Sequence, residues 1–297
     1  AETCAALGCM FWDHEMTRLT GEARFADLFE WQLYNAASVG IGRDGCSYFY
    51  NNPLVNNGEI SRAGWYDIPC CPSNLSRLWA SLGRYVCSYD HSEIRIQQYI
   101  SSDIQVDCGQ KTKLKMKSDL PWGNRVTLKL SMSKPAILNL VMRLPAWADG
   151  CVVKLNEQPV DVQLSSSLPS IPSANGLDFN AARWMRLASR FSPNDEVSLE
   201  FSMPIRMIRQ DQRVPRCGGK FAVTRGPIVY CLESIDNAVD IFKTGVEIDQ
   251  MQVVFNASVL DGTWVIKGLS KSGDPLTFIP YMLWANRGPS KMTVFVS

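Results

Sequence analysis

Four residues in the first part of the chain combine metal-ligand chemistry with a spacing that lets them meet. Glu2 and Cys4 lie at the beginning of one predicted helix, and Cys70 and Cys71 are adjacent, directly before Pro72. Proline suits the first position of a helix, so the pair is expected near a helix N-terminus, whose free amides and dipole favour a thiolate. Three sulfurs and one carboxylate would satisfy a tetrahedral zinc ion. The spacing alone also allows an incidental packed pair of thiols or a cysteine nucleophile.

The composition excludes several other kinds of site. Among the 297 residues are ten cysteines and two histidines, His14 and His91, which excludes histidine-rich zinc catalysis and restricts any Ser-His-Asp triad to one of those two. A net charge of +1 argues against nucleic acid as an electrostatic partner. No run approaches the ~18 consecutive apolar residues of a membrane span. The cysteines lack the dense spacing of a disulfide scaffold and no signal peptide is visible, so a reducing, cytoplasmic compartment is expected.

The elements that must position these residues change in type near residue 90. Before it, apolar residues at helical spacing predict three helices, and after it, alternating apolar residues predict about a dozen short strands in one or two antiparallel sandwiches. Three helices alone would leave apolar faces uncovered, and the chain begins inside a predicted helix. Both observations favour a larger helical domain that begins upstream. The helical faces are carried by Leu7, Met10, Phe11, Phe25, Leu28, Phe29, Leu33, Leu75, Leu78 and Leu82.

Six motifs in order along the chain resemble glycoside hydrolase family 127, the β-L-arabinofuranosidase family. Two of them contain the four candidate ligands, a third lies between these two, and the others lie in the β region. The motifs are Glu2-Thr3-Cys4-Ala5, Tyr48-Phe49-Tyr50-Asn51-Asn52-Pro53-Leu54, Cys70-Cys71-Pro72-Ser73-Asn74-Leu75, Met142-Arg143-Leu144-Pro145-Ala146-Trp147, and the pair Arg225-Gly226-Pro227-Ile228 with Trp284-Ala285-Asn286-Arg287.

The resemblance implies an α+β multidomain fold, in which the last helices of an (α/α)6 barrel are followed by antiparallel β-sandwich domains. On this basis residues 1–87 are the end of the catalytic barrel. Residues 88–204 form the first sandwich, together with residues 286–297, which are expected to return to it. Residues 205–285 form the second sandwich.

The same resemblance implies a site and a reaction. Zinc would be held by Glu2, Cys4, Cys70 and Cys71, with Cys70 as the nucleophile that forms a glycosyl-thioether intermediate and Tyr50 lining the sugar site. The implied activity is retaining hydrolysis that releases terminal β-L-arabinofuranose, or a related sugar, from a glycan or oligosaccharide. The family's acid/base glutamate lies upstream of Glu2, so the chain alone is expected to have little or no glycosidase activity. The protein partners considered are the upstream barrel segment and a second copy in a homodimer.

Other interpretations of the same residues remain open at this stage. The chain could be a non-catalytic carbohydrate-binding or structural module whose cysteines hold a structural zinc ion. Cys70 and Cys71 could instead form a vicinal disulfide in a redox protein, although that leaves the Glu-Thr-Cys motif unexplained. Several aromatic residues are compatible with a sugar-stacking face or with sandwich core, and core is favoured by their place in alternating strands. They are Trp147, Trp184, Trp264, Tyr281 and Trp284.

Overall fold

A computed structural model describes residues 2–169, 176–209 and 219–297 of the chain. Three α-helices lie near its beginning: α1 (Thr3–Thr20), α2 (Ala23–Gln32) and α3 (Cys70–Ser81). None of the helices in these three ranges is long and apolar enough to cross a membrane. The strands, in chain order, are β1 (Val55–Asn57), β2 (Cys87–Tyr89), β3 (Glu93–Ile96), β4 (Ser102–Asp107), β5 (Lys111–Ser118), β6 (Arg125–Met132), β7 (Ala136–Leu144), β8 (Cys151–Leu155), β9 (Gln158–Pro159), β10 (Gln163–Leu164), β11 (Arg183–Phe191), β12 (Glu196–Phe201), β13 (Ile205–Arg209), β14 (Phe221–Arg225), β15 (Ile228–Glu233), β16 (Val246–Asn256), β17 (Thr263–Ser270), β18 (Pro275–Pro280), β19 (Lys291–Thr293) and β20 (Phe295–Val296).

The three predicted helices are confirmed, with one difference at the start of α3. Gly21 ends α1 in the left-handed conformation, with φ of 71°, and its N–H donates to the Thr17 carbonyl. The helix α3 begins at Cys70, two residues before the expected Pro72. Proline is tolerated there because backbone amides in the first turn have no intrahelical acceptor. The helices pack around one shared core, formed by Leu7, Met10, Phe29, Leu33, Ala37, Leu75 and Leu78.

Two sheets share the second hydrophobic core. One contains five strands in the order β10-β11-β7-β3-β2, and the other contains six in the order β4-β5-β6-β12-β8-β9. The strand β5 shows why they pair face to face, because Leu114 and Met116 point inward while the lysines that alternate with them are exposed. Most pairs are antiparallel as expected, but β3 and β7 are parallel. The chain passes through β4, β5 and β6 of the other sheet between them, which provides the long connection that parallel pairing needs.

The third sheet has nine strands, and its central strand β15 is buried on both faces. Along β15, Ile228, Tyr230 and Leu232 enter one core, while Val229 and Cys231 enter another. That second core includes Val39 and Phe49 from the segment between α2 and α3, so the sheet packs directly against the helical region. A strand covered on both faces carries a continuous apolar run, and in β15 this run extends from Ile228 to Leu232.

The expected return of residues 286–297 to the first sandwich is wrong. The strand β19 pairs with β15 and β1, and β20 pairs with β14, all within the nine-stranded sheet. Met292 and Val294 are buried in the core that also contains Val39 and Phe49. Such a short apolar segment fits the pleat of any sheet, so its pattern could not identify its partner.

A buried ionic cluster, formed by Asp27, Glu30 and Arg143, joins α2 to the five-stranded sheet. The Arg143 guanidinium forms ion pairs with both carboxylates. The second Asp27 oxygen accepts from the Ala146 amide at 2.7 Å, and Glu30 accepts from the Trp147 indole N–H at 2.8 Å. The Arg143-to-Trp147 motif therefore serves to bind α2.

Candidate active site

The start of α1 is held against the Tyr50 segment by backbone pairing. Glu2 and Asn51 form an antiparallel bridge, and the Thr3 amide donates to the Tyr50 carbonyl at 2.9 Å. The Thr3 hydroxyl also donates to the Phe49 carbonyl at 2.8 Å. These contacts place Glu2 and Cys4 beside Tyr50.

Gly40 lets the starts of α1 and α3 approach each other. A Cβ atom at this position would lie 2.8 Å from the Thr3 methyl carbon and 3.2 Å from a Leu75 methyl carbon. Thr3 precedes Cys4, and Leu75 lies one turn after Cys71. A side chain at residue 40 would therefore push apart the two helix ends that carry the candidate ligands.

The β region supports the Tyr50 segment from the opposite side. The Phe49 ring stacks on Trp284 with ring centroids 4.8 Å apart and an angle of 11° between the planes. The Tyr281 hydroxyl donates to the Pro53 carbonyl at 2.8 Å, and Arg62 lies over the Phe49 ring. The aromatic residues of the Trp284 motif thus act as core. Trp147, Trp184, Tyr281 and Trp284 are all buried, which confirms the favoured interpretation for these four. Trp264 is exposed and packs on Phe255, so the expectation of core is wrong for this residue.

Glu2, Cys4, Cys70 and Cys71, together called the thiol cluster below, converge as the sequence predicts. Their four candidate ligand atoms all lie within 4.8 Å of one another. Cys71 is buried and the other three are half-buried. Two sulfurs bound to one zinc ion at ~2.3 Å in tetrahedral geometry lie about 3.8 Å apart. The Sγ atoms of Cys70 and Cys71 are 3.8 Å apart, so the donor set fits zinc in both chemistry and spacing.

The thiols of the cluster differ in their readiness to ionise. Desolvation raises the pKa of Cys70, but hydrogen bonds with Cys4, Tyr50 and Cys71 outweigh it and lower this pKa below its usual value. Burial is the largest influence on Cys71 and raises its pKa to about 12. Full ionisation of the cluster would collect four negative charges in a small volume, and a bound cation would offset their repulsion.

Tyr50, and not its neighbour Tyr48, faces the nucleophile candidate. Its hydroxyl is hydrogen-bonded to the Cys70 thiol, and this bond is the largest influence raising the Tyr50 pKa to about 12. The Tyr48 hydroxyl instead donates to the Gly45 carbonyl at 3.2 Å. Tyr66 supports both residues, since its hydroxyl accepts from the Tyr50 amide and donates to the Tyr48 carbonyl, each at 3.0 Å.

Sequence reasoning missed two residues of this site, Tyr66 and Asn74. Asn74 begins an N-x-Ser glycosylation pattern, yet its side-chain amide nitrogen lies 3.1 Å from the Cys4 sulfur. A signal was present, because residue 74 follows Cys70 and Cys71 by four and three positions and so shares their face of α3. No comparable signal marks Tyr66, which lies on a loop and contacts the Tyr50 amide from there.

Three family descriptions match consecutive parts of the chain. Residues 1–84 match "Beta-L-arabinofuranosidase, GH127 catalytic domain", residues 93–203 match the GH127 middle domain, and residues 205–297 match the "Glycoside hydrolase family 127 C-terminal domain". The third match begins at residue 205, where β13 also begins. From this strand onward, all the described strands belong to the nine-stranded sheet.

Similar proteins share this assignment over about half of their own length. A non-reducing end β-L-arabinofuranosidase of Bifidobacterium longum subsp. longum is 26% identical over 336 aligned positions, covering 99% of this chain and 48% of the relative. The crystal structure of a GH127 β-L-arabinofuranosidase from Geobacillus stearothermophilus T6 has a TM-score of 0.87 and 31% identity, covering 100% of this chain and 50% of that one. A second GH127 β-arabinofuranosidase structure gives a TM-score of 0.86 and 28% identity, covering 99% of this chain and 49% of that one.

Proposed function

The chain belongs to glycoside hydrolase family 127, and we propose that it carries the metal site and the nucleophile of a retaining glycosidase that releases terminal β-L-arabinofuranose or a related sugar from a glycan. The observation that carries this proposal is the convergence of the thiol cluster beside Tyr50. The names of the similar enzymes support the choice of sugar. Residues 1–87 are proposed to belong to an (α/α)6 barrel, an assignment that the catalytic-domain match over residues 1–84 supports.

Glu2, Cys4, Cys70 and Cys71 would hold zinc in this proposal. When bound, the ion supplies the positive charge that keeps the cysteines ionised and makes the Cys70 sulfur a better leaving group. The protein contributes to the same end, because Cys70 is the first residue of α3 and the N-terminus of a helix favours a thiolate.

The reaction would proceed in two displacements at the anomeric carbon. The Cys70 thiolate forms a C–S bond as the glycosidic C–O bond breaks, and the departing oxygen takes a proton from a general acid. Water then attacks the same carbon, gives up a proton to the conjugate base, and breaks the C–S bond, so the configuration is retained. Tyr50 would line the sugar site, with its hydroxyl on the Cys70 sulfur. The proposal assigns no general acid among the described residues.

Trapping the covalent intermediate tests the role of Cys70. A dinitrophenyl β-L-arabinofuranoside suits this test because its leaving group departs without protonation, so the result does not depend on the general acid. The zinc-loaded chain is mixed with this substrate, quenched in acid and mapped by peptide mass spectrometry. A pentosyl adduct is expected on Cys70, and it should be absent from Cys70→Ser.

Cys9→Ser is the matched control, since Cys9 is an exposed free cysteine on α1 outside the thiol cluster. This variant should retain the adduct. An adduct that persists in Cys70→Ser, or a zinc-loaded chain that forms none, would contradict the assignment of the nucleophile.

A structural zinc site is the second candidate, and one observation favours it. The cluster joins the starts of α1 and α3, so a metal there would also tie the two helices together. This alternative expects Cys70→Ser to lose stability and glycosidase activity together in the full-length enzyme. The catalytic proposal expects that variant to stay folded while it loses the covalent adduct and, with it, the glycosidase activity.

A further inference from the structure

We propose that Asn74 is a positioning residue that fixes Cys4 as a non-reacting metal ligand through a hydrogen bond from its side-chain amide to the Cys4 sulfur. The inference rests on the proposed function, because it concerns the same metal site. The Asn74 Nδ2 and Cys4 Sγ atoms are 3.1 Å apart and come from residues 70 positions apart in the chain. Contacts of this kind to the ligands of a metal orient them and tune their basicity.

The position of Asn74 follows from the geometry of α3. Cys70 and Cys71 occupy the first two positions of the helix, and Asn74 lies one turn later on the same side. The helix therefore presents two sulfurs and one amide toward the third sulfur, which α1 supplies. Asn74 is half-buried, so water competes with this hydrogen bond less than at an exposed position.

The hydrogen-bonding capacities of the two groups determine which end of the amide faces the sulfur. An ionised sulfur only accepts hydrogen bonds, so the Asn74 nitrogen must point toward Cys4 and the carbonyl oxygen away from it. An amide N–H stabilises the thiolate without being able to transfer its proton at neutral pH. Cys4 is thereby made a poorer nucleophile and a fixed ligand.

The cluster thus has two differently supported thiols. Cys4 receives the Asn74 amide, whereas Cys70 is hydrogen-bonded to the Tyr50 hydroxyl. The two sulfurs therefore have separate partners, and Asn74 can be changed without removing the contact between Cys70 and Tyr50. The contact with Cys4 also means that the Asn74 amide nitrogen, which a glycan would need, is already engaged in the folded chain.

Substitutions on two different faces of α3 test the inference. Asn74→Ala removes the donor, and Asn74→Asp keeps the shape while placing a negative charge beside the sulfur. Ser76→Ala and Ser76→Asp are the matched controls, because Ser76 is exposed on the same helix and bonds only to the Pro72 carbonyl among the contacts described. Zinc affinity is measured by competition with a chromogenic chelator, and helicity by circular dichroism.

The expected loss of zinc affinity is about 10–100-fold for Asn74→Ala, the range seen when a partner of a metal ligand is removed, and larger for Asn74→Asp. Both Ser76 variants should stay within about twofold of the parent chain. In the Co²⁺-substituted chain, the thiolate-to-cobalt charge-transfer band should shift in Asn74→Ala and not in Ser76→Ala. A merely structural role would not move that band.

The outcomes separate this inference from the proposed function. If the parent chain binds zinc and Asn74→Ala binds it within twofold with an unchanged cobalt spectrum, the role of Asn74 is overturned and the metal site stands. If the folded parent chain takes up neither zinc nor cobalt, the proposed metal site falls, and the role of Asn74 falls with it.

Discussion

Two polar clusters involve residues of the helical region, the ionic cluster and the thiol cluster. They differ in whether their charged groups are paired with opposite charges. In the ionic cluster, Arg143 pairs with Asp27 and Glu30, and both carboxylates accept further bonds from Ala146 and Trp147. In the thiol cluster, the donor atoms gather within 4.8 Å of one another, and the described contacts to its sulfurs come from uncharged groups.

This difference separates a polar cluster that stabilises the fold from one that can bind a ligand. Buried charges that are matched within the protein have nothing left to offer a ligand, and they fix one packing arrangement. A cluster of potential anions whose neighbours are neutral lacks a positive charge that a cation would provide. The comparison predicts that the ionic cluster dominates the stability of the bare chain and that the thiol cluster contributes mainly when metal is bound.

The largest expected effect is the loss of Arg143. Arg143→Met leaves Asp27 and Glu30 buried without a countercharge, and the free energy of unfolding should fall by about 3–5 kcal/mol. Arg143→Lys keeps the charge but loses the planar fork, so its loss should be smaller. Urea unfolding measures both.

The matched control is Arg125→Met, which breaks the exposed pair with Glu157. Its effect should be below about 1 kcal/mol. If Arg143→Met were as mild as Arg125→Met, the ionic cluster would not have the structural role assigned to it.

The second largest effect is a loss of stability in Cys4→Ser, and it is expected only when zinc is present. In chelator, Cys4→Ser should change the free energy of unfolding by less than about 1 kcal/mol, because Cys4 is half-buried and serine preserves its shape. With zinc at a hundred times its dissociation constant, the parent should gain about 2.7 kcal/mol and the variant little of it. Cys9→Ser should gain as much as the parent. A loss in chelator comparable to that of Arg143→Met would remove the distinction between the two clusters.

The ionic cluster should also make stability depend on pH. Desolvation, with the Glu30 carboxylate, outweighs Arg143 and raises the folded-state pKa of Asp27 from its ordinary 3.8 to about 6. The folded chain therefore binds this proton more tightly, and the contribution of Asp27 is fully present below about pH 4 and lost as pH rises through about 6. The unfolding free energy of the parent relative to Asp27→Asn should fall by about 2 kcal/mol from pH 4 to 7.

Glu157→Gln serves as the control for that experiment, since the Glu157 side chain is exposed. The difference between this variant and the parent should stay nearly flat over the same range. A rise in the relative stability of the parent between pH 4 and 7 would show that the pKa of Asp27 is shifted in the opposite direction.

Local periodicity predicted the element types well, but it did not predict all of their pairings. Helical spacing in α1, α2 and α3 depends on nearby residues, which the sequence displays directly. The partner of β20 depends on contacts far away in the chain, with Phe221 and Ala222, and alternation in so short a strand is the same for every sheet. The parallel pairing of β3 and β7 was missed for the same reason.

Within the site, the unusual residues were predictable and the ordinary ones were not. Few arrangements explain a glutamate and three cysteines in family-like motifs, so Glu2, Cys4, Cys70 and Cys71 could be named before the structure. Tyr66 acts through hydrogen bonds to the backbone of the Tyr50 segment, and phenols can find such partners almost anywhere. The family resemblance assigned Tyr50 to the sugar site, although the sequence pattern places Tyr48 on the same side of one extended segment.

The smallest effect distinguishes those two tyrosines. Tyr50→Phe removes the hydrogen bond that helps to lower the Cys70 pKa, so this pKa should rise and less thiolate should be present at neutral pH. Alkylation of Cys70 by iodoacetamide should therefore be severalfold slower in the zinc-free variant than in the zinc-free parent, measured by peptide mass spectrometry near pH 7. Tyr48→Phe, which loses only the bond to the Gly45 carbonyl, should react like the parent. If Tyr48→Phe slowed the alkylation of Cys70 and Tyr50→Phe did not, the contact between Tyr50 and Cys70 would not govern the pKa of this thiol. Tyr50 would then not be one of the uncharged groups that distinguish the thiol cluster from the ionic cluster.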